Sequence, residues 1–176
     1  MNTPLLVVIG PTGSGKSALA VELARTFDGE VVNCDSVQVY KYLDVGSAKL
    51  PESEQMGVPH HLISILDPDQ LFTAGEFLHR GRAVLQEIKA RRHLPIVAGG
   101  TGLYLKALLE GLFEGPKRSE PLRKRLQTLV ASKGREHLHR LLNRVDPISA
   151  TRISANDQPK IIRALEVYFL DRKSVV

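Results

Sequence analysis

The chain has 176 residues and a formal net charge of +5, with 43% hydrophobic and 24% charged residues, enough for one full-sized domain but not two. This composition excludes an intrinsically disordered chain, and no apolar run is long enough to span a membrane. A single cysteine, Cys34, excludes an internal disulfide or a cysteine-rich zinc site. We therefore expect a soluble cytoplasmic protein that is a monomer.

The first part of the chain alternates between predicted strands and helices. Residues 5–9 form an apolar run that is typical of a buried parallel strand, and residues 17–27 have the spacing of a helix. A second short strand is predicted over residues 30–34, and residues 60–66 predict a third.

The alternation continues with a capped helix and a further strand. Thr73 and Glu76 are spaced as a capping box, in which each side chain bonds to the backbone N–H of the other residue. The helix is predicted to reach about residue 92, and residues 94–98 form a buried strand that ends in Gly-Gly-Thr-Gly. Such alternation predicts an α/β fold, a parallel sheet flanked by helices. The helical side chains predicted to face inward are Phe77, Val84, Leu85 and Ile88.

The sequence changes character after residue 115, where leucines recur at helical spacing and only helices are predicted up to the end. Residues 116–144 hold nine Lys and Arg against two Glu, a net charge of +7, which leaves −2 for the rest of the chain. The change near residue 115 predicts a smaller module attached to the main domain. An α/β core over residues 1–115 is followed by a basic helical module over residues 116–176, suited to a polyanionic partner.

A phosphate-binding loop is the firmest functional prediction. Gly-Pro-Thr-Gly-Ser-Gly-Lys-Ser at residues 10–17 matches the pattern G-x-x-x-x-G-K-[ST] in full, between a predicted strand and a predicted helix, so the core is expected to be P-loop NTPase-like. Glycines allow successive backbone N–H groups to face phosphate oxygens, Lys16 adds positive charge, and the Ser17 hydroxyl can bind Mg²⁺. The predicted diphosphate- or nucleotide-binding residues are Gly10, Pro11, Thr12, Gly13, Ser14, Gly15, Lys16 and Ser17.

The loop alone does not specify which phosphate compound binds. An NTPase of this type uses an Asp after an apolar strand to hold its metal, whereas the strand at residues 94–98 ends in glycines. Asp35 follows the second strand instead. Because ligands bind beyond the carboxyl ends of parallel strands, we expect Asp35 and Thr101 to converge near the loop. Two roles are open for Asp35, a catalytic base or a cap for the segment after it.

Five motifs follow one another in order along the chain. They are the loop at residues 10–17, Asp-Ser-Val-Gln-Val-Tyr at 35–40, Val-Pro-His-His-Leu at 58–62, Gly-Gly-Thr-Gly-Leu-Tyr at 99–104, and Asn-Asp at 156–157 with Arg-Ala-Leu-Glu-Val at 163–167. Together they resemble the tRNA dimethylallyltransferase (tRNA isopentenyltransferase) family over most of the chain. The resemblance implies transfer of the dimethylallyl group of dimethylallyl diphosphate to N6 of adenosine 37, beside the anticodon of tRNA, with Mg²⁺ as cofactor.

The resemblance also implies roles for particular residues. Asp35 would accept the N6 proton, Thr101 would orient the reacting groups, and Lys16 would stabilise the departing diphosphate. The target adenine would leave the anticodon-loop stack to reach them. The implied catalytic residues are Asp35, Thr101 and Lys16, the implied metal ligand is Ser17, and the implied tRNA contacts are Asp35, Ser36, Val37, Gln38, Thr101, Arg123, Pro159, Lys160, Ile161, Ile162 and Arg163.

Three alternative functions stay open from the residues alone. A small-molecule kinase would use the same loop to transfer phosphate from ATP, and an adenylate isopentenyltransferase would modify a free nucleotide instead of tRNA. An inactive phosphate- and RNA-binding remnant would show no turnover. The family resembled here ordinarily continues well beyond the position of Tyr168. We therefore expect a shortened chain that keeps diphosphate binding and has weakened tRNA binding and turnover.

Overall fold

The structure is a computed structural model that describes residues 4–112 and 115–172. Residues 173–176, part of the chain end considered above, lie outside these ranges. By their contacts the residues form two compact units, Met1–Leu112 and Phe113–Val176. The division falls close to residue 115, where the sequence changes character. Across the two described ranges, no helix combines the length and apolar character that crossing a membrane requires.

In the described residues of the first unit, four strands form one parallel sheet in the order β1-β4-β2-β3. The strands are β1 (Leu6–Ile9), β2 (Gly29–Asn33), β3 (His60–His61) and β4 (Leu94–Gly99). β4 lies between β1 and β2, because Ile96 is in register with both Leu6 and Val31. Since every pairing is parallel, the predicted α/β class is confirmed.

Helices cover both faces of this sheet because successive strand residues point to opposite sides. The helices are α1 (Lys16–Phe27), α2 (Ala74–Ala90) and α3 (Gly102–Glu110). On one face, Val31 packs in a core with α1 residues such as Ala20. On the other face, Val32 packs with Phe77 and Ile88 of α2.

The predicted capping box of α2 is confirmed. Thr73 Oγ1 accepts a hydrogen bond from the Glu76 N–H at 3.2 Å, and Glu76 Oε2 accepts one from the Thr73 N–H at 3.2 Å. The inward face is also as predicted, with Phe77 and Ile88 fully buried. Val84 and Leu85 are half-buried against the same core.

One predicted feature of the first unit was wrong, and one helix was missed. The strand expected over residues 60–66 is limited to His60–His61, because Leu62 and Ser64 adopt positive φ angles of 58° and 51° that leave the extended conformation. Helix α3 was not predicted. It has only nine residues and begins directly after a run of glycines, so its sequence lacks the long periodic pattern that indicates a helix.

The described residues of the second unit contain only helices, as predicted. They are α4 (Glu120–Lys133), α5 (Arg135–Val145), α6 (Pro147–Arg152) and α7 (Gln158–Asp171). Each of three helices begins at a side-chain cap, in which Ser119, Asp146 and Asp157 accept backbone N–H groups of α4, α6 and α7. The unit has its own core, which includes Leu126, Leu138, Leu142, Ile161 and Leu165.

One buried carboxylate ties the first unit together at the start of β2. Glu30 accepts two hydrogen bonds from Arg91, at 2.9 Å from Nε and 2.8 Å from Nη2. His61 Nε2 and His93 Nδ1 contact the same carboxylate at 2.5 and 2.7 Å. The hydrogen bonds from Arg91 outweigh the opposing effect of burial and, with those from the two histidines, lower the pKa of Glu30 to about 2.

Candidate active site

The phosphate-loop motif connects β1 to α1, and its glycines are required for two different reasons. Gly13 and Gly15 have φ angles of 80° and 79°, in the left-handed region that side chains disfavour. A Cβ on either would meet nothing within 4 Å, so conformation alone requires glycine there. At Gly10 the reason is space, because a Cβ would lie 2.7 Å from Ser14 Oγ.

The loop places positive charge at the start of α1. Gly15 is the residue before the helix, and the first turn of α1 contains no acidic side chain to offset its positive end. Lys16 Nζ lies over the loop and donates to the Pro11 carbonyl oxygen at 3.2 Å. This arrangement of backbone N–H groups, ammonium and helix end suits a phosphate or diphosphate group.

The end of β2 and the end of β4 bring Asp35 and Thr101 to the same edge of the sheet. The Cys34 N–H donates to the Ala98 carbonyl at 2.8 Å, and the Thr101 N–H donates to the Cys34 carbonyl at 3.1 Å. Ser36, the residue after Asp35, donates its N–H to Thr101 Oγ1 at 3.0 Å. Thr101 therefore holds the turn that begins at Asp35.

Glycines at the end of β4 allow this turn and the phosphate loop to approach one strand. A Cβ on Gly99 would lie 2.2 Å from the Cys34 carbonyl oxygen, and one on Gly100 would lie 3.3 Å from the Gly10 carbonyl oxygen. β4 thus contacts the Asp35 turn on one side and the first loop residue on the other. A small, mainly apolar pocket of about 10 Å³ lies at this edge. Its lining residues include Ile9, Cys34, Val97, Thr101 and Leu105.

The carboxylate of Asp35 has one structural oxygen and one free oxygen. Asp35 Oδ1 accepts the N–H groups of Val37 at 2.8 Å and Gln38 at 3.3 Å, so the capping role considered from the sequence is present. Asp35 Oδ2 makes no hydrogen bond within residues 4–112 and 115–172. Because the side chain is only half-buried, this second oxygen is available to a substrate.

The other implied contacts next to Asp35 differ in availability. Val37 is exposed and open to a ligand, whereas Gln38 is 9% exposed. Gln38 Nε2 donates to the carbonyl oxygens of Ser47 at 2.9 Å and Ala48 at 3.4 Å. The Gln38 amide therefore holds the following loop, a role that the sequence did not indicate.

In the second unit, two implied RNA contacts share one buried carboxylate. Arg123 donates to both oxygens of Glu166, at 3.0 Å from Nε and 2.9 Å from Nη2, and Arg163 Nη1 donates at 2.7 Å. The Ser119 N–H adds a fourth bond at 2.6 Å. Burial alone would raise the pKa of Glu166, but the hydrogen bonds from Arg123, Ser119 and Arg163 outweigh it and lower that pKa to about 2. Sequence reasoning assigned Glu166 no role, although a lone acid between Leu165 and Val167 was the available signal.

The implied contact segment at the start of α7 is divided between core and surface. Ile161 and Ile162 are 0% and 5% exposed and belong to the hydrophobic core, although Ile162 also lines the groove described next. The implied tRNA contact at these two positions stays a prediction. Pro159 and Lys160 are exposed, and Lys160 Nζ pairs with Asp157 at 2.6 Å.

An open groove of about 480 Å³ runs past this segment within the second unit. Its polar lining combines two guanidinium groups with amide side chains, and no acidic side chain of the described residues lines it. Sequence reasoning named Arg123, Pro159 and Ile162 as tRNA contacts and Asn156 as part of a motif, but it gave no role to Gln127, Arg135 or Gln158. The lining residues are Arg123, Gln127, Arg135, Asn156, Gln158, Pro159 and Ile162.

Glu30 and Glu166 together predict a loss of stability in acid. Both have a pKa of about 2 in the folded chain against a usual value of 4.5, so the unfolded state binds protons first. Their contribution is complete above pH 4.5 and disappears as the pH falls to about 2, at about 3 kcal/mol for each carboxylate. Circular dichroism melts should show a steep fall in stability across this window.

The matched variants for this measurement are Glu30→Gln and Glu166→Gln, whose amides cannot titrate. Each should be less stable than the parent at neutral pH and should lose less of its remaining stability in acid. A variant with the same acid profile as the parent would show that its carboxylate does not cause the loss.

Comparison with known proteins agrees with this arrangement. The family model described as IPP transferase matches residues 38–176. A tRNA dimethylallyltransferase of Solibacter usitatus is 57% identical over 172 residues, which cover 98% of this chain and 56% of that protein. Its counterpart in Koribacter versatilis is 53% identical over 174 residues, with 98% and 57% coverage. The chain thus spans a little over half the length of these curated relatives.

Solved structures of transferases with related names are also similar to this chain. The full-length tRNA isopentenylpyrophosphate transferase of Bacillus halodurans is 40% identical, with a TM-score of 0.64 over 97% of this chain and 56% of that one. A eukaryotic dimethylallyltransferase acting on tRNA is 31% identical, with a TM-score of 0.77 over 97% of this chain and 42% of that one. Because the family model matches well over half of the residues and these relatives align with nearly all of them, this chain belongs to the IPP transferase family.

Proposed function

We propose that the protein transfers the dimethylallyl group of dimethylallyl diphosphate to N6 of adenosine 37 in tRNA. The observation that carries this proposal is the meeting of the phosphate loop, Asp35 and Thr101 at one edge of the sheet. Membership of the IPP transferase family and the names of the relatives support it. A tRNA substrate implies a cytoplasmic location.

The phosphate loop would stabilise the leaving group. As the bond between the allylic carbon and the diphosphate oxygen breaks, negative charge grows on the diphosphate. Backbone N–H groups of the loop, the Lys16 ammonium and the start of α1 are positioned to receive that charge without reorganisation. The apolar residues Ile9 and Leu105 beside the loop offer a surface against which a branched five-carbon group can pack.

The donor set also fits Mg²⁺ as a cofactor. Within residues 4–112 and 115–172, no three or more His, Cys, Asp or Glu side chains are grouped to hold a metal ion. Mg²⁺ is commonly held by substrate phosphates and very few protein ligands, a pattern that matches a single Ser17 hydroxyl beside a diphosphate. When bound, the ion would supply charge neutralisation at the leaving diphosphate.

Asp35 would remove the proton from the attacking nitrogen. The adenine N6 forms a bond to the allylic carbon and must lose one hydrogen, for which the free Oδ2 of Asp35 is the available acceptor. Thr101 keeps this carboxylate in place through its hydrogen bond from the Ser36 N–H. The products are the N6-dimethylallyl adenosine, diphosphate and one proton.

The second unit favours an RNA substrate over a free nucleotide. Its groove brings the Arg123 and Arg135 guanidinium groups together with amide side chains, without an acidic group among the described lining residues. Such a surface binds backbone phosphates and positions RNA without reading its sequence. A free adenine nucleotide has no use for a second phosphate-binding surface of this kind.

A product assay with three acceptors separates the candidate functions. The protein is incubated with dimethylallyl diphosphate and Mg²⁺ together with an anticodon stem-loop RNA, AMP or ATP, and products are weighed by mass spectrometry. We expect one C5H8 unit on the stem-loop. A C5H8 unit on AMP alone would indicate an adenylate isopentenyltransferase, and the absence of any product would leave a binding protein. A kinase would transfer phosphate from ATP to a small molecule instead.

Lys16→Ala tests the role of the loop in the same assay. We expect turnover to fall by at least about 10²-fold, since a preorganised charge at the leaving group is lost. Diphosphate binding, measured by calorimetry, should weaken in parallel. The matched control is Lys89→Ala on the exposed last turn of α2, which should behave as the parent. Equal turnover of the Lys16 variant and the parent would contradict the proposed role.

A further inference from the structure

Glu166 determines which donors of Arg123 remain free. A guanidinium group carries five N–H donors in one plane, and Glu166 occupies the edge formed by Nε and Nη2. No carboxylate of the described residues contacts Nη1, and the Arg123 side chain lines the groove although only 20% of it is exposed. Arg123 thus contacts the buried carboxylate through one edge of its guanidinium and also lines the groove.

The anchoring is unusually complete for a basic surface residue. Two parallel hydrogen bonds to one carboxylate fix the plane of a guanidinium as well as its position. The carboxylate itself is fixed, because it is fully buried and also accepts bonds from Arg163 and the Ser119 N–H. Arg135 gives the contrast within the same groove, since it is exposed and has no ion pair among the described residues.

The cluster keeps a net positive charge in spite of its carboxylate. Arg123 and Arg163 together carry two positive charges against the single negative charge of Glu166. An anion in the groove is therefore attracted, and it meets an arginine that has already lost its side-chain freedom. Preorganisation of this kind lowers the entropic cost of binding.

We propose that Glu166 is a positioning residue for RNA binding: it holds Arg123 so that the free end of the guanidinium receives a backbone phosphate in the groove. The inference rests on the proposed function, because it takes the RNA substrate as the source of that phosphate. Gln127, Asn156 and Gln158 line the same groove and supply donors and acceptors for neighbouring sugar and phosphate oxygens.

The direction in which one substitution changes RNA affinity separates a positioning role from an effect of net charge. Glu166→Gln removes a negative charge from the second unit. If only the net charge of this surface mattered, the variant would bind RNA more tightly and with a steeper salt dependence. If Glu166 positions Arg123, the variant binds RNA more weakly although it has become more positive.

The experiment measures binding of a fluorescently labelled anticodon stem-loop RNA at several salt concentrations. We expect Glu166→Gln to weaken binding by about tenfold, as for the loss of one charged hydrogen bond. The matched control is Glu30→Gln, which removes a buried carboxylate that also holds an arginine through two bonds but lies in the first unit. It should leave RNA binding unchanged, and circular dichroism should show both variants folded at the assay temperature.

A second variant keeps the test decisive if Glu166→Gln does not fold. Arg123→Lys keeps the positive charge but loses the paired N–H donors of the guanidinium, and it should weaken RNA binding by a similar factor. When it is combined with Glu166→Gln, the double variant should show little further loss of affinity. Unchanged or tighter binding by Glu166→Gln, or by Arg123→Lys, overturns the inference. Failure of the parent chain to bind the stem-loop contradicts the proposed RNA substrate as well, so the two failures are distinguishable.

Discussion

Replacing Asp35 by Asn should lower kcat for dimethylallyl transfer by about 10²–10⁴-fold, with little change in KM for either substrate. The physical reason lies in the two oxygens of this carboxylate. Asn keeps an Oδ1 that accepts the N–H groups of Val37 and Gln38, so the turn is preserved. It replaces the free carboxylate oxygen by an amide that cannot take a proton, so only the proposed base is removed.

The measurement is steady-state transfer to an anticodon stem-loop, with the melting temperature recorded for each variant. Asp69→Asn is the matched control, because Asp69 is an exposed aspartate of the same unit with no role in the site. A rate within a few-fold of the parent for Asp35→Asn would leave Asp35 with its capping role alone. Such a result would remove the proposed proton transfer from the mechanism.

Replacing Gly99 by Ala should have the largest effect on folding, a loss of about 3 kcal/mol or more in the free energy of unfolding. A Cβ at this position would lie 2.2 Å from the Cys34 carbonyl oxygen and 2.8 Å from its Cα. Both atoms belong to the backbone, so no side-chain rotation can relieve the clash. The β2–β4 pairing has to open, and the turn that carries Asp35 moves with it.

Urea unfolding followed by circular dichroism measures this loss. Gly46→Ala is the matched control, since a Cβ there meets nothing within 4 Å and its φ angle is not in the left-handed region. We expect the control to stay close to the parent. Similar stability of the two alanine variants would show that the end of β4 can separate from Cys34 without cost.

The features that were predictable from the sequence depend on local patterns. The phosphate loop is a fixed spacing of glycines and Lys16, and the capping box of α2 depends on two residues three positions apart. The parallel sheet follows from apolar runs that alternate with helical spacing. Even the meeting of Asp35 and Thr101 at one edge follows from the rule that parallel strands end together.

The features that were not predictable depend on contacts between distant segments. Glu30 and Glu166 are charged residues that become buried only because arginines from other helices or turns reach them, 61 and 43 residues away along the chain. Spacing along the sequence does not encode such pairs. The resemblance likewise implied Ile161 and Ile162 as RNA contacts, whereas helical packing turns both into the core.

The strand order has a consequence for protein synthesis. Among the described strands, β1 pairs only with β4, and β4 also pairs with β2 on its other side. A nascent chain that has not yet released residues 94–99 from the ribosome therefore cannot complete the sheet, however long its first strand has been in solution. During translation the phosphate-loop motif therefore lacks its neighbouring strand until residues 94–99 have emerged.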